Sequence, residues 1–325
     1  MKRLFTFFSI ITAILLVYGF YLALDWPHFL VKSLGPGAPS ERTMGDVQRI
    51  FYYHVPSAWT AFCLFLTNYF CSLLTLTYSD KIRRAANRAA IMVAIFGVIG
   101  LFISESRPPW LLPPEGFSWV SAFVWVIAVA VLHSLLIKGY FLLGDRLGKL
   151  FSARARVILD AVAVSSAEVG VVFCTIVLVT GPIWARPVWG IWWTWDVRLT
   201  TTLVLWLIYV SYLALRRFSD SAETAILAAA LAVMGALDVP FVYFSIWFFR
   251  TQHPQPVMGG GGSLDPRMLH AFLINLLAFS CFGAMVCWAR VRLELLRRDV
   301  EEAHAMKSLA GGEPAKASLP LHRSA

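Results

Sequence analysis

Two histidines and a cluster of tryptophans are the residues of this chain whose types and spacing suit chemistry. His54 lies in Arg49-Ile-Phe-Tyr-Tyr-His-Val-Pro-Ser-Ala-Trp59, with Pro56 two residues on, a position where proline can open a helix without losing a needed hydrogen bond. His253 is followed directly by Pro254, which disfavours ordinary helix at the histidine and predicts that the imidazole is presented from a turn. Between them, residues 184–200 hold five of the thirteen tryptophans within twelve positions. The group Trp189, Trp192, Trp193 and Trp195 is interrupted by Gly190 and closed by Asp196 and Arg198. An interfacial aromatic belt needs one or two rings per span end. This density instead predicts a broad apolar shelf with indole N–H donors at its rim, suited to a flat hydrophobic ligand. A lone interfacial histidine is usually a structural hydrogen-bonder, but two of them flanking such a shelf could supply both axial ligands of a haem iron. Arg49, Arg186, Arg198 and Arg250 are then candidates for the two haem propionates, because guanidinium matches carboxylate bidentately. The sequence does not choose among the four.

The elements that must position these residues follow from composition. The 325 residues are 58% hydrophobic and only 14% charged, with a mean hydropathy of +0.68, which excludes an ordinary soluble domain. Eight runs are long and apolar enough to span a bilayer as helix: 4–24, 57–78, 89–104, 117–137, 158–181, 200–215, 223–247 and 269–289. The first run is longer than the core of a cleavable signal and no small-x-small site follows it, so it is read as a span. With the N-terminus inside, twenty of the 28 Lys and Arg fall in inner segments, as the positive-inside rule requires. The expected architecture is therefore all-α and polytopic, with about eight transmembrane helices and both termini cytoplasmic. Residues 1–289 form one transmembrane domain with its tryptophan-rich outer loop at 184–200. Residues 290–325 form a charged cytoplasmic tail that begins as an amphipathic helix and ends flexible.

Several classes are excluded. The net charge of +9 comes from short basic clusters between apolar runs and implies no nucleic acid as partner, only the membrane lipid. All five cysteines lie in apolar segments without a CxxC pair, so neither a disulfide framework nor a zinc site is encoded. No phosphate-binding loop is present, and Gly259–Gly262 lacks the strand-to-helix setting of one.

At the residues already singled out the chain resembles a known family. Trp189-Gly-Ile-Trp-Trp-Thr-Trp-Asp-Val-Arg-Leu-Thr200 is similar to the tryptophan-rich WWD signature of haem-handling proteins in cytochrome c assembly. Its Arg-Leu-Thr ending is similar to the haem exporter protein C branch (CcmC) rather than to the cytochrome c synthase branch (CcsA). Tyr53-His-Val-Pro56, Thr251-Gln-His-Pro254 and Ser263-Leu-Asp-Pro266 fall where that family has its two external histidines and a downstream Asp-Pro. The likeness covers roughly residues 45–78 and 157–289. It implies that His54 and His253 are axial ligands of haem b, carried as cargo, and that Trp189, Trp192, Trp193, Trp195, Asp196 and Arg198 hold the porphyrin. It also implies a bacterial inner membrane location with the haem site on the periplasmic side, delivery to the chaperone CcmE, and the partners CcmA, CcmB and CcmD of an ABC-type complex. The expected role is haem transfer, without a catalytic constellation. The span count departs from the family: CcmC has six, and the pair at 89–137 looks inserted, which brings the chain nearer the synthase branch.

Two rival readings stay open at this point. A synthase-type protein would use the same platform to attach haem to apocytochrome c. A secondary transporter of another solute would use midplane polar groups such as Glu168 and Asp238, but leaves the tryptophans and histidines unexplained. Those two acids are costly inside a membrane and are read as protonated, paired, or lining a polar path. His133 is read as a snorkelling side chain near the inner end of its span, against an inner haem ligand. His28, His270, His304 and His322 are read as non-ligands, with His270 the nearest to the site.

Overall fold

The computed structural model describes residues 2–24, 45–77, 139, 153–218, 221–249, 251–254 and 264–310. Six long helices occupy them: α1 (Lys2–Leu24), α2 (Phe51–Thr77), α3 (Ala153–Trp189), α4 (Val197–Phe218), α5 (Ala222–Phe248) and α6 (Pro266–Ala310). A 3-10 turn, Asp46–Ile50, leads straight into α2. All six are long and apolar enough to cross a membrane, so the chain is an all-α polytopic membrane protein. The outward faces are apolar as lipid contact requires: Phe7, Ile14 and Val17 of α1 stand exposed. The spans expected at 89–104 and 117–137, His133 among them, lie outside the described residues.

Short polar links fix the register of the bundle, as they do where lipid removes the hydrophobic drive between helices. His54 of α2 meets Thr180 of α3, and deeper down Asn68 Nδ2 donates to the Ala163 carbonyl at 2.7 Å. The two helices are thus antiparallel, and the end of α2 and the start of α3 lie at one pole. On the far side, Asn275 Nδ2 of α6 donates to the Gly19 carbonyl of α1 at 2.9 Å. In the centre, the Phe65 and Tyr209 rings stack at 3.8 Å with 10° between planes, and the Tyr209 hydroxyl donates to the Phe65 carbonyl at 3.2 Å.

Three helix boundaries differ from the sequence expectation. Pro56 does not open α2; the 3-10 turn supplies the start, and Pro56 lies buried inside the helix. Helix α3 runs through Pro182 and Pro187 to Trp189 and stops at Gly190, whose φ of 78° only glycine adopts freely and whose N–H bonds the Arg186 carbonyl at 3.0 Å. Trp184 and Trp189 are therefore helical, and the coil between α3 and α4 is shorter than 184–200. Helix α6 continues past the apolar span to Ala310, about 68 Å at 1.5 Å per residue. The first twenty or so tail residues are thus helix.

That extension is held by ion pairs. Asp160 of α3 receives Arg216 of α4 at 2.5 Å and Arg298 of α6 at 2.8 Å. Glu294 pairs with Arg298 at 2.9 Å, and Arg290 pairs with Glu168 at 2.5 Å. Of the three readings open for Glu168, the structure selects pairing. It lies roughly 18 Å along α3 from Thr180. Asp238 Oδ2 has no hydrogen-bond partner among the described residues.

Candidate haem site

The ends of α2, α3, α4, α5 and α6 that gather at one pole enclose a cavity of about 320 Å³, within the range of small-molecule sites. His54 and His253 both line it, although nearly 200 positions separate them. His54 is carried in the first turns of α2, and His253 on the coil after α5, as the following proline predicts.

Each imidazole is held by Nδ1. Thr180 Oγ1 donates its single proton to the Ile176 carbonyl at 2.7 Å, so at 2.9 Å it accepts the Nδ1–H of His54. His253 Nδ1 lies 2.9 Å from the Pro254 carbonyl, which can only accept. Both rings are therefore Nδ1–H tautomers with a lone pair left on Nε2, the form in which a histidine binds a metal. Burial, with the Arg198 cation adding to it, pushes the His253 pKa down from 6.5 to about 3, so this ring stays neutral and competent to ligate at physiological pH.

Among the described residues no group of three or more His, Cys, Asp or Glu could hold a bare metal ion. Two imidazoles in one cavity instead suit an iron whose other four positions are already filled by a porphyrin. The remaining lining fits a porphyrin. Trp184, Trp189 and Trp193 present aromatic surface, with Trp184 and Trp189 edge to face at 5.2 Å. Trp59 and Tyr243, which the sequence did not single out, add a second edge-to-face pair at 5.6 Å.

The structure divides the expected tryptophan shelf. Trp189 and Trp193 line the cavity, whereas Trp192 and Trp195 are 59% and 75% exposed and face outward. It also divides the four arginines. Arg198 lines the cavity, and its Nη1 is buried without a hydrogen-bond partner among the described residues, an arrangement that suits an anionic acceptor. Arg49 is committed elsewhere: its Nη1 donates to the Ala23 carbonyl at 2.8 Å and its Nε to Asp46 at 3.1 Å. Arg186 donates to the Gly190 carbonyl and is exposed. Arg250 lies outside the described residues. Asp196 is not in the cavity lining. His270 bonds the Tyr18 hydroxyl at 3.1 Å on an exposed face, and His304 is exposed on α6. His28 and His322 lie outside the described residues.

Comparison with known proteins identifies the family of the chain. The family model described as heme exporter protein C matches residues 115–306, which include the tryptophan motif and His253 but not His54. The chain is 34% identical over 195 residues to heme exporter protein C of Bradyrhizobium diazoefficiens, covering 59% of this chain and 68% of that protein. It is 35% identical over 127 residues to heme exporter protein C of Escherichia coli K12, covering 39% and 51%. A putative cytochrome c biosynthesis ccmC-like mitochondrial protein of Arabidopsis thaliana is 34% identical over 162 residues, covering 48% and 60%. The chain thus spans between about half and two thirds of the length of these relatives.

Proposed function

Because the chain belongs to the heme exporter protein C family, we propose that it binds haem b at the outer face of the bacterial inner membrane and passes it on for cytochrome c assembly. One observation supports this most strongly: two histidines, each held through Nδ1, and an arginine whose Nη1 has no hydrogen-bond partner among the described residues line one aromatic cavity. His54 and His253 hold the iron from its two axial sides. Trp184, Trp189 and Trp193 exclude water and grip the ring by its faces and edges. Arg198 takes a propionate. Bound haem supplies the cargo that is later attached to apocytochrome, and the residues here bind and orient it for transfer.

The outward Trp192 and Trp195 give the acceptor a surface to approach. In the family this acceptor is the periplasmic chaperone CcmE, with CcmA, CcmB and CcmD as the surrounding complex, and the same assignments are proposed for this chain.

Haemin titrated into the detergent-purified protein tests the reading. The expected product is a low-spin, six-coordinate absorption spectrum; a wild type that takes up no haem would sink the proposal. Arg198→Met is expected to weaken binding by about 10- to 100-fold, the worth of one charge-assisted hydrogen bond, without changing the shape of the spectrum. A changed shape with unchanged affinity would remove Arg198 from propionate binding.

Thr180→Val deletes the acceptor behind His54 at nearly constant volume. Loss of such an outer-shell partner costs about 10- to 100-fold in metal affinity, and that drop is expected here. Thr180→Ser, which keeps the oxygen, should restore most of it. Equal affinity for the valine and serine variants would show that the tautomer is set some other way.

A further inference from the structure

Asp196 closes the tryptophan motif, yet neither of its oxygens faces the cavity. Oδ1 accepts the Leu199 N–H at 2.9 Å and caps the start of α4. Oδ2 accepts the Thr251 hydroxyl at 2.6 Å, and the Thr251 oxygen in turn accepts the His253 N–H at 3.1 Å. Each oxygen thus carries a bond from a neutral donor on a neighbouring coil or helix start. This has two consequences. The Asp196 charge reaches Arg198 through space without a hydrogen bond to its Nη1, which has no hydrogen-bond partner among the described residues. A carboxylate would also repel propionates, which argues against porphyrin contact. What Asp196 joins instead is the coil between α3 and α4 to the coil that carries His253.

We propose that Asp196 is a positioning residue that acts through Thr251 as a latch, holding the His253 coil in its place against the tryptophan coil. The consequence for iron ligation rests on the haem-binding reading above; the latch itself does not. Residues 251–254 contain no regular helix, and the hydroxyl of Thr251 is the tie between this short segment and the start of α4. Release of the latch frees His253 while the His54 side, anchored within α2 and by Thr180, stays in place. One iron ligand is thereby made the labile one, and the coil that carries the exposed Trp192 and Trp195 controls it.

Two readouts test this on the full-length protein. In the apo form, hydrogen–deuterium exchange of the peptide carrying His253 is expected to rise about tenfold in Thr251→Val and in Asp196→Asn, and to return to the wild-type rate in Thr251→Ser. Asparagine has a single side-chain oxygen and so cannot both cap Leu199 and accept Thr251. After haemin loading, Thr251→Val and Asp196→Asn should move from a low-spin to a largely high-spin, five-coordinate electron paramagnetic resonance signature. His253→Ala should give the same signature, and added imidazole should reverse it in all three. Wild-type exchange rates with a wild-type iron signature in both latch variants would overturn the proposal. Accelerated exchange with no change at the iron would uphold the latch and overturn His253 as a ligand, which separates the two failures.

Discussion

Haemin is expected to bind the His54→Ala, His253→Ala double variant at least about a hundredfold more weakly than the wild type, a larger loss than the 10- to 100-fold typical of removing an outer-shell partner. The reason lies in the division of labour in the cavity. Aromatic surface supplies a non-directional term that any flat apolar ligand shares, whereas in the proposed binding mode the two Nε2 lone pairs are what recognise the iron itself. Removing one imidazole leaves the other bond and the aromatic grip, so each single variant should retain haem with five-coordinate iron and a shifted Soret band. Removing both leaves only the tryptophans and Arg198. Metal-free protoporphyrin provides the contrast: its affinity should be nearly the same for the wild type and the double variant. Absorbance titration of both ligands against both proteins checks the prediction. Equal losses for haemin and protoporphyrin would mean that the substitutions damaged the cavity rather than the ligation.

Much of this arrangement was legible in the sequence because it follows from patterns of two kinds. Apolar run length located six helices, and proline after His253 placed that residue on a turn. The parity of the topology put both histidines and the tryptophans at one pole. Other features depended on information that such patterns do not carry. Pro182 reads as a helix end because proline removes its own N–H and crowds the carbonyl four residues back, yet neither loss stops α3, which ends eight residues later at Gly190. The apolar count for α6 stops where charges begin, but the charges themselves sustain the helix through i,i+4 pairs such as Arg297–Glu301 and Arg298–Glu294.

The site shows the same limit at the scale of single side chains. Tryptophan density predicted a shelf, but density does not say which way each ring of residues 190–196 points, and two of the four turn outward. Four arginines were equivalent in sequence. The structure separates three of them, because Ala23, Asp46 and Gly190 occupy Arg49 and Arg186 while Arg198 lines the cavity with its Nη1 unbonded among the described residues. Thr180 carried no signal, and Thr251 stood only as a neighbour of His253 in its motif. Each matters through one hydroxyl and a partner on a different element, 126 and 55 positions away respectively.

Gly170→Val is expected to destabilise the bundle by about 3 kcal/mol, at the upper end of what overpacking a core costs. A Cβ at Gly170 would stand 2.6 Å from Phe65 Cε1, closer than carbon atoms approach. Ordinarily a ring in that position would tilt away. Here Phe65 is fully buried and stacked at 3.8 Å on Tyr209, and behind Tyr209 a Cβ at Gly235 would in turn come within 3.2 Å. Two glycines therefore bracket two stacked rings across α3, α2, α4 and α5, leaving neither ring room to retreat. Replacing a helical glycine with alanine returns about 0.5–1 kcal/mol of backbone entropy, too little to offset the clash, and a β-branched side chain forgoes part of that gain. Unfolding in a denaturing detergent series measures the loss, and Phe65→Leu combined with Gly170→Val should be less destabilised than the sum of the two single changes, because the smaller side chain vacates the contested space. Strict additivity would refute the bracket. The consequence reaches the site as well: Ala61 and Cys174 of the cavity wall lie one helical turn from Phe65 and Gly170. The glycine-bracketed stack thus adjoins the cavity wall, and, on the proposed haem binding, haem affinity should fall together with stability in Gly170→Val and recover with it in the double variant.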